Sequence, residues 1–250
     1  PVRVITSAIE HHAVLHGCRR LREMGADAVM LPVDGSGRVD PASLSGALDD
    51  AERAGADVAL VSIMLANNEV GTIEDIPVLA GISHERGIPF HTDAVQAVGH
   101  IPVDVDELGV DALSLSAHKF HGPRGTGALY LRDGFSIPPM VEGGGQERGR
   151  RSGTENVAGA VGMAAALSAA AARMDEEAAR LTALRDRLLE NILKIPKTAL
   201  TGSRTNRLPG LASVTVEGIE GESMVLLLDL QGIAASTGSA CSTGSLDPSH

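Results

Sequence analysis

Six short, largely apolar runs of aliphatic and β-branched residues recur along the first half of the sequence: VRVIT at 2–6, AVMLPV at 28–33, VALVSIML at 58–65, IPFH at 88–91, ALSLS at 112–116 and GALYL at 127–131. A strand with one solvated face alternates in polarity, whereas most of these runs are continuous, as in strands buried on both faces. Between them, Ala-rich amphipathic segments predict helices over Ala13–Met24, Pro41–Ala54 and Ile76–Gly87. Strand, helix, strand in that order needs crossover connections. The fold class is therefore α/β, a mostly parallel sheet flanked by helices.

Functional groups in such sheets gather at the carboxyl ends of the strands. The polar clusters of this chain stand where the apolar runs stop: Asn67-Asn68-Glu69, His91-Thr92-Asp93 and Ser116-Ala117-His118-Lys119. A Gly/Arg-rich stretch, GGGQERGRRSGT at 143–154, breaks the pattern and precedes a long helix-like segment from Glu155 to Leu193. Pro196 and Pro209 bracket a turn-rich region, followed by a short α+β tail: ASVTVEG, a helical GESMVLLLDLQ, then GIAAST. Residues 1–150 read as a large domain, 151–194 as a connector with the long helix, and 195–250 as a small α+β domain.

Composition excludes several kinds of partner. With 21 Lys and Arg against 32 Asp and Glu, the formal charge is −11, unsuited to gripping a nucleic-acid backbone. No Trp, one Tyr and three Phe leave nothing for a base-stacking platform. Two cysteines, Cys18 and Cys241, make neither a disulfide framework nor a four-cysteine metal site. The opening PVRVITS has no leader pattern, and no apolar run is read as reaching the ~20 residues of a membrane span. The expectation is a soluble, cytoplasmic protein with no direct nucleic-acid or membrane role.

Four clusters carry candidate chemistry. In SLSAHKFHGPRGTG, Lys119 follows an apolar strand and precedes sharp glycine turns; it is either a solvated surface lysine or one that forms a Schiff base with an aldehyde cofactor. Ser116 and His118 beside it could bond a phosphate. Asp93 at a strand end is either a helix N-cap or the acidic partner of a pyridine nitrogen, with Gln96 three residues on along an opening helix turn. His11, His12 and His16 follow the first strand, but no carboxylate stands at the spacing of an H-E-x-x-H zinc site; His11 could instead stack on a flat ring. Cys241 lies in STGSACSTGS, a run of small polar residues that is either a flexible turn or the setting of a reactive thiol that must move, whereas Cys18 sits within a predicted helix as an inert thiol.

Together the motifs EHHAVL, ANNEVG, HTDAVQAVG, SAHKFHGPRGTGALY, GGGQERGRRSGT and STGSACS, in this order, closely resemble the cysteine desulfurases of the NifS/IscS type. These belong to the class V aminotransferase branch of fold-type I pyridoxal-phosphate enzymes. The resemblance implies pyridoxal 5'-phosphate as cofactor, no metal, L-cysteine as substrate and a sulfur-acceptor protein as partner. It implies that Lys119 binds the cofactor and moves the Cα proton, Asp93 pairs with the pyridine nitrogen, His11 stacks on the ring and Gln96 bonds the phenolic oxygen. Asn68 would lie near the ring oxygen and the substrate carboxylate, and Ser116 and His118 would hold the phosphate. Thr154 would reach the cofactor phosphate of a second subunit in a homodimer. Cys241, in a loop like that of the long-loop group, would take the sulfur as a persulfide.

The family's Gly/Thr-rich phosphate loop and its substrate-clamping arginine have no counterpart in these 250 residues, which would then be part of a longer protein. Three other readings share the same residues. One is a class V lyase, aminotransferase or epimerase in which Cys241 is incidental. Another is a thiol hydrolase built from Cys241, a His and an Asn. The third is an inactive fragment or scaffold.

Overall fold

The computed structural model describes residues 1–238. Its centre is a six-stranded sheet of β1 (Val2–Ser7), β2 (Asp27–Leu31), β3 (Asp57–Ser62), β4 (Phe90–Asp93), β5 (Ala112–Ser116) and β6 (Gly127–Leu131). The strand order is β2-β1-β3-β4-β5-β6, and every neighbouring pair is parallel except β5 with β6. This is the mostly parallel α/β sheet that the continuous apolar runs require.

Each strand overlaps its expected run, with ends shifted by one to three residues in four of them, and prolines account for two of the shifted ends. Proline has no N–H to give to a ladder. β2 stops at Leu31, before Pro32, leaving Val33 in an isolated bridge to Val39. β4 starts only after Pro89 and runs two residues farther than expected, so that Asp93 becomes its last residue. β3 ends at Ser62 rather than Leu65, although Ile63 N–H and Leu65 N–H still donate to the carbonyls of His91 and Asp93 at 3.1 and 2.9 Å.

The helices α1 (His12–Glu23), α2 (Pro41–Arg53), α3 (Ile76–His84) and the short α4 (Val105–Leu108) connect the strands. One face of the sheet, with Ile5, Val61, Phe90 and Leu113, forms a core with Leu44 and Leu48 of α2 and Leu79 of α3. Phe90 has no exposed surface, and burying such a side chain contributes about 1.5–3 kcal/mol. On the other face Val4 and Ala28 pack against Cys18 of α1. Burial pushes the Cys18 thiol up, more than Arg22 lowers it, and the negative field of Glu10 adds to the rise. Cys18 is a buried free thiol, in keeping with an inert structural role.

Asp111 ties the end of the sheet together. Its side chain is 2% exposed, and its Oδ2 accepts the Phe90 N–H at 2.7 Å and the His84 Nε2–H at 2.8 Å. Its Oδ1 pairs with Arg132 just beyond β6. Burial alone would raise its pKa, but these three partners outweigh it and hold the carboxyl below its ordinary value.

The long helix α5 (Val157–Ile192) packs Met163, Ala166, Leu167 and Ala170 on the core. By length and composition alone it is apolar enough to cross a membrane, which corrects the expectation that no segment reaches that length. Alanine is the reason: it scores as apolar in a hydropathy window yet was read in the sequence as a helix former. Val157 and Val161 near its start and Leu184 near its end remain exposed.

Beyond it, β7 (Thr198–Leu200) and β8 (Val214–Val216) form a two-stranded antiparallel sheet, followed by α6 (Gly221–Leu230). The GIAAST stretch forms no strand. Residues 203–208 dock on the large sheet's loop at 70–73. Ile73 N–H donates to Asn206 O at 3.0 Å, Leu208 N–H to Gly71 O at 2.8 Å, and Ser203 N–H to Thr72 Oγ1 at 2.9 Å. The buried Arg207 guanidinium donates to Val70 O at 2.8 Å.

Candidate active site

The strand order places four polar loops next to one another at the carboxyl edge of the sheet, in the sequence β1, β3, β4, β5. His11 opens α1 as its N-cap, where its Nδ1 accepts the Ala13 N–H at 3.2 Å, so the ring proton is on Nε2. Asn67 is 4% exposed and organises the β3 loop: its Oδ1 accepts the N–H groups of Glu69 and Val70, both at 2.8 Å, and its Nδ2 donates to Ile9 O at 2.8 Å. Asn68 follows it, half-buried.

Asp93 ends β4 and is 8% exposed. Its Oδ1 accepts the Val95 N–H at 2.9 Å, so the capping role is real, but the segment that follows is a turn rather than a helix. Gln96 sits in that turn, half-buried. Among the described residues, Asp93 Oδ2 makes no hydrogen bond and the carboxylate has no ion pair. A carboxylate buried without a countercharge is costly unless a cationic donor meets it.

Ser116 ends β5, and residues 117–120 form a single 3-10 turn that carries His118 and Lys119. The Ser116 hydroxyl and His118 Nδ1 lie 2.8 Å apart. Lys119 is half-buried, and its ammonium has no hydrogen bond or ion pair among the described residues. Its main chain is fixed instead: His100 Nε2–H donates to Lys119 O at 2.9 Å. Two glycines make this turn possible. Gly99, at φ 83°, lets the His100 segment approach, since a Cβ there would lie 2.7 Å from Phe120 Cβ. Gly122 closes the turn by donating its N–H to Ala117 O at 2.8 Å, where a Cβ would stand 2.9 Å from that same oxygen.

Glu10, which the sequence reading left without a role, is fully buried between the β1 and β3 loops. Its Oε1 accepts the Ser7 hydroxyl at 2.6 Å and the Met64 N–H at 2.8 Å. Burial pushes its pKa up to about 8; the charges of Asp93 and Glu74 add to the rise, and the Ser7 and Met64 hydrogen bonds oppose it. A folded-state pKa above the ordinary 4.5 means that the folded protein binds this proton more tightly than the unfolded chain. Its contribution to stability is full below that value and is lost as pH rises towards 8. The wild-type melting temperature is expected to fall by about 10 °C across this window, while Glu10→Gln, which keeps the acceptor oxygen, flattens the decline. Thermal melts at a series of pH values check it; equal slopes in the two proteins would count against a neutral Glu10.

His91, Asn67 and His100 were likewise missed as organising residues. The sequence signals were a His two residues before a strand-ending Asp, a second Asn beside the one singled out, and a Gly-His pair after HTDAVQAV. Thr154 lies exposed between the Gly/Arg-rich loop and α5, with no hydrogen bond to the carboxyl-edge residues. Cys241 lies outside the described residues. No group of three or more potential metal ligands occurs among the described residues.

The residues at this edge fit pyridoxal phosphate. A lysine amine without a carboxylate partner is suited to an aldehyde. A buried carboxylate without a cation is suited to a protonated ring nitrogen, and a hydroxyl–imidazole pair at a turn is suited to a phosphate.

An open, mainly parallel sheet with such groups gathered beyond its carboxyl ends defines the ligand-binding α/β proteins. Within that class the chain belongs to the class-V aminotransferase family, whose sequence profile matches residues 2–250. It is 54% identical over 247 residues to cysteine desulfurase IscS of Methanosarcina thermophila, covering 99% of this chain and 60% of that protein. Among solved structures it is similar to a NifS-like protein, with a TM-score of 0.88 and 40% identity over 94% of this chain and 63% of that one. It is also similar to SspA in complex with cysteine, with a TM-score of 0.76 and 33% identity over 96% of this chain and 65% of that one. The chain spans about three-fifths of the length of the curated relatives it matches.

Proposed function

We propose that these residues are the cofactor-binding part of a cysteine desulfurase, which converts L-cysteine and a protein thiol into L-alanine and a protein persulfide. The observation that carries the reading is that the neighbouring strands β4 and β5 end in the buried Asp93 carboxylate and in the turn bearing the Lys119 amine, neither of which has an ion-pair partner among the described residues. Relatives named cysteine desulfurase support the choice of reaction.

Bound pyridoxal phosphate supplies an electron sink for the bonds at the substrate Cα. Lys119 would hold the cofactor by its aldehyde and would be the group that moves the proton at the substrate Cα. Asp93 would hold the ring nitrogen in its protonated form, His11 would cover the ring and Gln96 would bond its phenolic oxygen. Asn68 would serve that oxygen and the substrate carboxylate. Ser116 and His118 would hold the phosphate, and Thr154 would reach the phosphate site of a second subunit in a homodimer. The Cys241 thiolate would attack the sulfur of L-cysteine: a sulfur–sulfur bond forms, the Cβ–sulfur bond breaks with its electron pair going to the substrate carbon skeleton, and Cβ takes up a proton, so that the remainder leaves as L-alanine. The persulfide then passes to an acceptor protein of iron–sulfur cluster assembly or another thiolation pathway. A cytoplasmic location and the division at residues 150 and 194 into large domain, connector and small domain belong to the same reading.

The test is an absorbance spectrum of the full-length protein with pyridoxal phosphate, before and after L-cysteine. A band near ~410–420 nm, as Schiff bases give, that changes on addition and yields alanine is expected. Protein that takes up no cofactor would favour the scaffold reading.

A further inference from the structure

The face of the sheet that carries Asp93 also holds a polar chain that the proposed reaction leaves unused. Ser62 on β3, His91 on β4 and Ser114 on β5 lie on three adjacent strands. The Ser62 hydroxyl is 2.8 Å from His91 Nδ1, and His91 Nε2 is 2.9 Å from the Ser114 hydroxyl. Side chains two residues apart on a strand share a face, so His91 lies under Asp93. Ser114 is the register partner of Asp93, and Ser116, which holds His118, is the next residue of β5 on that face.

A neutral imidazole has one donor and one acceptor nitrogen, and hydroxyls can meet both. Burial holds the His91 pKa below the usual histidine value, more than the Asp93 charge raises it. The groups that β3 and β5 present to its nitrogens are the two serine hydroxyls. Its own strand adds Asp93, and Glu10, farther along the edge, is held as the neutral acid.

We propose that His91, clamped between Ser62 and Ser114, is a positioning residue that fixes Asp93 for the ring nitrogen of the cofactor. This rests on the pyridoxal-phosphate reading above. A locked neutral ring holds the ends of β3, β4 and β5 at the spacing the Asp93 carboxylate needs. A protonated ring would put a second cation beneath Asp93, in competition with the cofactor's ring nitrogen for the same carboxylate.

The experiment is a titration of the full-length protein with pyridoxal phosphate from pH 5.5 to 8.5, read by absorbance and by protein fluorescence or equilibrium dialysis. His91→Leu, which strands both serines, is expected to bind the cofactor about tenfold more weakly at pH 8. His91→Gln, whose amide can donate and accept, is expected to remain within about threefold of wild type at pH 8. On acidification wild type should lose affinity by more than His91→Gln does, because only wild type gains the competing charge. Wild-type affinity for His91→Leu, or parallel acid losses in wild type and His91→Gln, would overturn the proposal. If His91→Leu does not fold, the comparison with His91→Gln decides alone. Failure of wild type to bind the cofactor at all would instead overturn the functional reading on which this one rests.

Discussion

Lys119→Ala is expected to abolish the absorbance band near ~410–420 nm and to lower alanine production by on the order of a thousandfold or more. Lys119 is the one amine at the carboxyl edge placed by a 3-10 turn directly after a strand, with its carbonyl pinned by His100. On the proposed function, losing it would remove both the covalent hold on the cofactor and the group that moves the Cα proton, so the two losses would compound. The stability cost should be small, because the ammonium makes no hydrogen bond or ion pair among the described residues. Absorbance, alanine analysis and a thermal melt on one preparation separate these outcomes. Unchanged turnover would rule out lysine-based cofactor chemistry and favour a thiol hydrolase.

Cys241→Ser produces the opposite pattern. The cofactor band should persist and still respond to L-cysteine, because Asp93, Lys119 and the Ser116–His118 pair are untouched. Persulfide on the protein and release of alanine should fall by on the order of a hundredfold or more, since a serine hydroxyl is a poor nucleophile towards sulfur. Mass spectrometry for a 32-Da adduct on the wild-type protein, about the mass of one sulfur atom, and alanine analysis on both proteins check it. Wild-type rates in the variant would leave the cofactor reading intact and make this another class V enzyme in which Cys241 is incidental.

Most of the sheet was legible because its signal is local. A continuous apolar run states its own burial, and all six runs became strands. Strand ends were less legible: Pro32 and Pro89 could have corrected β2 and β4, but run length was weighed above the missing N–H. Lys119, Asp93 and Ser116 could be placed at the carboxyl edge because each ends such a run or lies within three residues beyond it. Glu10 and His91 were harder. Their roles depend on partners on other strands, Met64 for Glu10 and Ser62 with Ser114 for His91, and that proximity exists only once strand order and register are known. The membrane-length apolarity of α5 is hidden for another reason: alanine signals a helix by its propensity, and its apolar character shows only when summed over the helix's length.

The docking of residues 203–208 on the 70–73 loop has a kinetic consequence. That loop continues the Asn67–Asn68 turn, so the segment leading to Cys241 is anchored to the same hydrogen-bonded ladder as the substrate side of the site. In the proposed desulfurase reaction, encounter between the Cys241 thiol and bound substrate would then be first-order, at an effective concentration set by the chain path from Leu208 and independent of how dilute the protein is. The same anchor would serve the proposed transfer of sulfur to an acceptor: a tethered thiol could be loaded at the site and then presented elsewhere without the sheet having to move.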